Sequence, residues 1–105
     1  MNIDLLYFDG CPSWQRSLEN LKTALKTEKL DASVVLVEVK DNDDADRLKF
    51  LGSPSFQIEG QDLWPEDRGF YSFSCRVYDT PDGMRGFPTV KMLREKLIAM
   101  KGNLQ

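Results

Sequence analysis

A short apolar segment near the amino terminus runs into a Gly-Cys-Pro turn, and a helical pattern follows at once. The apolar segment covers residues 3–8, and Gly10, Cys11 and Pro12 form the turn. Proline suits the first turn of a helix, because the N–H group that it lacks would have no partner there. Cys11 would then lie near the unpaired N–H groups and the positive dipole end of the helix, which favour a thiolate over a thiol. The sequence therefore predicts a strand, a helix and a reactive sulfur between them.

The pattern of apolar residues along the rest of the chain predicts an α/β fold with the order β-α-β-α-β-β-α. Residues 33–39 form an unbroken run rich in β-branched side chains, which predicts a strand buried on both faces. With the first strand and helix it makes a βαβ unit with a right-handed crossover. An insertion at residues 65–86 precedes the last helix, and within it we predict a strand at 73–78 and a turn at 81–83. The predicted elements are strands at 3–8, 33–39, 55–59 and 62–64, and helices at about 12–28, at about 43–51 with Gly52 as its C-cap, and after 86–89.

Composition limits the class of protein. The 105 residues predict one domain, and the net charge of -3 and pI near 4.9 argue against nucleic acid or an anionic membrane surface as a partner. The apolar runs are too short to cross a bilayer and the amino terminus does not read as a signal peptide, so we expect a cytoplasmic protein without a membrane partner. The chain has no histidine, which removes Ser-His and Cys-His catalysis and His-containing zinc sites. We therefore predict neither a metal site nor a cofactor.

Three short motifs, together with the order of elements, resemble the thioredoxin-like superfamily. They are Tyr-Phe-Asp-Gly-Cys-Pro at 7–12, Leu-Gly-Ser-Pro at 51–54 and Ser-Cys-Arg-Val-Tyr at 74–78, and they look like a group of small bacterial thioredoxin-like proteins of unassigned function. The resemblance covers nearly the whole chain. It implies a single domain over residues 1–105 and a three-layer α/β/α architecture with a central mixed sheet and an insertion before the last helix. It also implies a cis peptide bond between Ser53 and Pro54, beside the reactive cysteine.

The same resemblance suggests roles for the candidate site residues. It implies a nucleophile at Cys11 and a substrate-binding site formed by Pro12, Trp14, Ser53 and Pro54. Trp14 stands where most superfamily members have a second cysteine, and its place on the apolar face of the helix predicts that it packs on the core. Cys75 is either a strand cysteine packed in its own loop or a displaced resolving thiol that meets Cys11 across the site. On a regular strand Arg76 would point to the face opposite Cys75.

Three interpretations of function follow. The first is a thiol–disulfide oxidoreductase that acts on a protein or low-molecular-weight thiol or disulfide substrate. The second is a non-catalytic binding module of the same fold, with a soft metal or a protein as its ligand. The third is a scaffold that forms a homodimer through an aromatic cluster in the insertion, made of Phe70, Tyr71, Phe73 and Tyr78.

Overall fold

In the computed structural model, which describes residues 1–103, an α/β fold is built from a four-stranded mixed sheet, a separate two-stranded hairpin and three helices. The strands are β1 (Asn2–Tyr7), β2 (Ser33–Glu38), β3 (Ser55–Ile58), β4 (Gln61–Asp62), β5 (Tyr78–Thr80) and β6 (Gly83–Arg85), and the helices are α1 (Trp14–Thr27), α2 (Asn42–Leu48) and α3 (Val90–Asn103). The sheet order is β2-β1-β3-β4, with β1 parallel to β2 and antiparallel to β3. Within residues 1–103, no helix combines the length and the apolar character that crossing a membrane requires.

Burial along β1 alternates between two apolar layers, and this alternation places the helices. Ile3 and Leu5 pack in one cluster with side chains of α1 and α3. Leu6 packs in a second cluster with Ala45 of α2 and with Phe50 just beyond it. Because neighbouring strand residues point to opposite faces, α1 and α3 cover one face of the sheet and α2 covers the other. The result is three layers, with helices on both sides of the sheet.

The prediction that the second strand is buried on both faces is wrong. β2 lies at the edge of the sheet, and Val35 and Leu36 are 48% and 44% exposed. β-branched residues favour the extended conformation in edge strands as well as in central ones. Their run therefore predicts a strand, but it does not predict whether that strand has a neighbour on each side. The position of β2 is set by its parallel pairing with β1 after the α1 crossover.

The second helix is shorter than predicted, and it does not end at Gly52. Asp41 caps its amino end, where the Asp44 N–H donates to the Asp41 carboxylate at 2.8 Å. The helix ends at Leu48, and Lys49 adopts the left-handed conformation that closes it. Gly52 also has a positive φ, of 117°, but it lies in the loop that follows.

The strand predicted at residues 73–78 is wrong, because most of this segment of the insertion is an irregular loop. The regular strand β5 begins only at Tyr78, and residues 65–77 are irregular apart from one isolated bridge between Cys75 and Ser53. The turn predicted at 81–83 is confirmed, since Pro81 and Asp82 connect β5 to its antiparallel partner β6. The single bridge to Ser53 positions residues 73–77, but one bridge is too little pairing to make them a strand.

The aromatic residues of the insertion do not form one surface cluster. Phe70 is 75% exposed, whereas Tyr78 is buried in the cluster shared by α1 and α3. Tyr71 packs against the opposite cluster, beneath α2. The Phe73 ring lies on Phe8, with their centroids 4.3 Å apart. These side chains therefore attach the insertion to both faces of the sheet.

Candidate functional site

Cys11 lies in the turn between β1 and α1, and its side chain is buried. The turn is closed by the Cys11 N–H, which donates to the Phe8 carbonyl at 3.1 Å. The first helix begins at Trp14, with Ser13 as its N-cap, which is later than the predicted start near residue 12, and Cys11 lies before it. Cys11 is 2% exposed, and its Sγ–H donates to the Ser53 carbonyl at 3.4 Å.

The loop before β3 faces this turn and is tied to it by side chains. The Ser53–Pro54 peptide bond is cis, as predicted, and both residues are buried. The Phe8 N–H donates to Ser53 Oγ at 3.2 Å. On the far side of the loop, the Tyr78 hydroxyl donates to the Pro54 carbonyl at 2.6 Å. The loop is thus attached to the end of β1 and to the start of β5.

Residues 74–76 occupy both backbone hydrogen-bonding groups of Ser53. The Ser53 N–H donates to the Ser74 carbonyl at 2.8 Å, and the Arg76 N–H donates to the Ser53 carbonyl at 2.9 Å. The Ser53 carbonyl therefore accepts from both Arg76 and Cys11. An extended substrate cannot pair with Ser53 while residues 74–76 remain in place, which is a constraint that the sequence did not predict. The same pairing brings Cys75 beside the site.

Cys75 and Cys11 both lie at Ser53, and both thiols are free. Cys75 is exposed as a residue, whereas Cys11 is buried. Partial desolvation of the Cys75 thiol, its hydrogen bond to Cys11 and negative charge on Cys11 together raise the pKa of Cys75 to about 11. Cys75 is paired with Ser53, whose carbonyl also accepts from Cys11, and its role as a resolving thiol stays a prediction.

Arg76 anchors the Cys75 segment and was missed by sequence reasoning, which placed it only on the face opposite Cys75. It is buried, and its guanidinium donates to both carboxylate oxygens of Asp62 at 3.1 and 3.0 Å and to the Trp64 carbonyl at 2.6 Å. Burial raises the pKa of Asp62, and the positive charge of Arg76 opposes that rise. The alternation of the Ser-Cys-Arg-Val-Tyr motif was the available signal, because it gives Arg76 and Tyr78 a common inward face.

Trp14 packs as predicted, and Pro12 lies at the surface. The Trp14 ring stacks on Tyr7 with centroids 4.2 Å apart, and it contacts the cluster between α1 and α3. Pro12 is exposed in the turn before the helix. Both therefore flank Cys11 along the chain, while the group to which its sulfur donates comes from the Ser53 loop.

The chain matches no protein-family model, no curated protein and no solved structure. The geometry around Ser53 is therefore the basis for assigning a function. Among residues 1–103, no three His, Cys, Asp or Glu side chains lie together as metal ligands would. What the site brings together is two thiols beside Ser53, one buried and one exposed.

Tyr78→Phe is expected to lower the free energy of unfolding by about 1–2 kcal/mol at neutral pH, because the buried Pro54 carbonyl loses its donor. Burial holds the pKa of Tyr78 well above its usual range in the folded protein. The unfolded chain releases the phenol proton near pH 10, so this group contributes stability below that pH. Above about pH 10, the free energy of unfolding of the wild-type protein therefore falls by up to about 1.4 kcal/mol per pH unit.

Urea denaturation of wild type and Tyr78→Phe between about pH 7 and pH 11 measures this difference. The two stabilities should converge as the pH rises, since the variant has no phenol at this position. Tyr7 and Tyr71 are present in both proteins, so their contributions cancel. A stability difference that stays constant over the whole pH range would contradict the prediction.

Proposed function

We propose that this protein is a thioredoxin-like thiol–disulfide exchange protein, in which Cys11 and Cys75 form a reversible disulfide. The observation that carries the proposal is that both cysteines lie at Ser53, since the Cys11 Sγ–H donates to its carbonyl and Cys75 forms a backbone bridge with it. Trp14 replaces the usual resolving cysteine of the motif, and Cys75 supplies a second thiol from the insertion. Thiols held next to each other form a disulfide readily, because little chain entropy is lost on closing the bond.

The arrangement of elements supports a thioredoxin-like fold. β1 and β2 are parallel and joined by α1, and β3 lies antiparallel to β1 with β4 at its edge. The cis Ser53–Pro54 bond directly precedes β3 and lies beside Cys11. α1 and α3 cover one face of the sheet while α2 covers the other. The additional hairpin β5–β6 is the part of the insertion that departs from the plain superfamily order.

The exchange reaction balances with these two thiols and one small disulfide, RS–SR. One thiolate of the pair attacks RS–SR, which forms a mixed disulfide and expels RS⁻. The second thiolate attacks the protein sulfur of the mixed disulfide, forms the Cys11–Cys75 bond and expels the second RS⁻. Two electrons pass to the substrate, and the two protons released by the pair are taken up by the two RS⁻ groups. Two equivalents of a thiol reverse the sequence and restore the reduced pair.

Mild oxidation by a low-molecular-weight disulfide such as cystamine is expected to convert the wild-type protein to an intramolecular Cys11–Cys75 disulfide. Non-reducing peptide mapping at low protein concentration identifies the linked peptides. Cys11→Ser and Cys75→Ser should each give a mixed disulfide with the reagent and no internal bond. Wild-type protein that yields only such adducts or intermolecular dimers would overturn the proposed function.

A displaced-thiol variant provides a matched control. In Cys75→Ser/Val77→Cys the second thiol moves to another exposed position two residues along the same segment, since Val77 is 58% exposed. Two residues of extended chain shift a side chain by about 6–7 Å, which is beyond the reach of a disulfide to an unmoved Cys11. This variant should resist internal oxidation, so that the contact of Cys11 with residue 75, and not the mere presence of two thiols, is what the experiment tests.

A further inference from the structure

We infer that, within the proposed exchange cycle, Cys75 carries the mixed disulfide and Cys11 is the sulfur released, with low-molecular-weight thiols and disulfides as the substrate class. This inference rests on the proposed function and assigns an order and a substrate to it. The motif at residues 11–14 would by itself place the first contact at Cys11. The tertiary structure reverses that order, because Cys75 is exposed and Cys11 is 2% exposed.

Access decides which sulfur a substrate thiolate can reach. Thiol–disulfide exchange requires the attacking sulfur to approach an accessible sulfur of the disulfide. Cys11 is enclosed by the turn after β1 and by the Ser53 carbonyl, so approach to its sulfur requires the site to open. Cys75 is itself exposed and lies in an irregular segment in which Phe73 and Val77 are exposed too. Attack at Cys75 needs no such opening.

The complete oxidation of a small thiol RSH then has two steps. RS⁻ attacks the Cys75 sulfur of the Cys11–Cys75 disulfide, which forms the RS–Cys75 bond and releases Cys11 as a thiolate. A second RS⁻ attacks the outer sulfur of the mixed disulfide, forms RS–SR and releases Cys75. The two protons lost by RSH are taken up by the two protein thiolates. The protein gains two electrons, and a small disulfide reoxidises it through the same mixed disulfide.

Substrate size follows from the backbone groups of Ser53. An extended peptide can gain no backbone hydrogen bond from Ser53, because its N–H and its carbonyl are already bonded to residues 74 and 76 of the chain. Displacing these residues would also move Cys75, since it lies between them. A small thiol reaches Cys75 from solvent without this displacement. The site therefore selects low-molecular-weight thiols over extended protein segments.

The test begins with wild-type protein whose Cys11–Cys75 disulfide has been verified by mapping. Cysteamine is added, the reaction is stopped with N-ethylmaleimide, and the peptides are mapped. We expect cysteamine on Cys75 and maleimide on Cys11; the opposite labelling overturns the inference. If the internal disulfide never forms, the proposed function fails before cysteamine is added, so the two failures are distinguishable.

Single-cysteine variants measure access directly. With cystamine, Cys11→Ser, which retains Cys75, should form a mixed disulfide at least about tenfold faster than Cys75→Ser, which retains Cys11. In denaturant the two rates should become similar, because both thiols are then exposed. A faster native reaction of Cys75→Ser contradicts the assigned order.

Substrate class is tested with two thiols on the oxidised wild-type protein. Cysteamine and a cysteine-containing decapeptide are compared by their rate constants per thiolate. We expect the peptide to react at least about tenfold more slowly, because it meets the occupied Ser53 backbone. Equal or faster reaction of the peptide overturns the assignment of small thiols as substrates.

Discussion

Arg76→Met is expected to lower the free energy of unfolding by about 3–5 kcal/mol, because it leaves the buried Asp62 carboxylate without its cation. The two side chains are 5% and 6% exposed and meet at 3.0 Å. The substitution also removes donors from Ser55 Oγ and from the Trp64 carbonyl. Urea or thermal unfolding measures the loss, which for a chain of this size amounts to about 4–8 °C per kcal/mol.

Arg68→Met is the matched control. Arg68 also forms an ion pair, with Glu66 at 2.6 Å, but both side chains are partly solvated. Exposed pairs contribute about 0–1 kcal/mol, so the control should change stability little. Equal losses in the two variants would contradict the structural role assigned to Arg76.

The deficit of Arg76→Met should depend on pH in a defined direction. Burial raises the pKa of Asp62, and without Arg76 nothing of comparable charge opposes that rise. The penalty of burying the carboxylate is then absent below the unfolded pKa of about 4 and appears as the pH rises through the raised folded pKa. The stability gap between variant and wild type should therefore narrow as the pH falls. Replacing Asp62 as well, in Arg76→Met/Asp62→Leu, should recover part of the loss at neutral pH.

Gly52→Ala is expected to lower the free energy of unfolding by about 2–5 kcal/mol, through backbone strain and steric overlap together. Gly52 has a φ of 117°, and a Cβ at this position would lie 2.8 Å from Arg76 Cβ and 3.0 Å from its Cα and N atoms. Those atoms belong to the backbone segment that holds Cys75 against Ser53. The variant should therefore also form the Cys11–Cys75 disulfide more slowly than wild type.

Gly60→Ala separates strain from overlap. Gly60 has a φ of 79°, and a Cβ there would meet nothing within 4 Å. This control should cost about 1 kcal/mol, which reflects the left-handed conformation alone. Unfolding measurements that give the two glycine variants equal losses would show that the approach of Gly52 to Arg76 is not tight.

The local features of this chain could be predicted from its sequence because short-range chemistry governs them. The strand before Cys11, the helix that begins near Trp14 and the turn at 81–83 follow from apolar periodicity and from proline and glycine placement. The packing of Trp14 followed from helical spacing in the same way. Each depends on residues within a few positions of one another, so the neighbouring sequence contains the information.

Only the tertiary structure decided how the site is assembled. Ser53 and Cys75 are 22 positions apart, and their bridge lies in a segment without regular secondary structure. No periodic pattern in the sequence therefore predicts this bridge. The burial of Cys11 and the exposure of Cys75 depend on the same bridge and on the Arg76–Asp62 pair beneath it. Burial is a property of everything that surrounds a side chain, and those surroundings come from distant parts of the chain. The sequence therefore determined that two thiols and a Ser-Pro loop are present, and long-range packing determined which sulfur faces solvent.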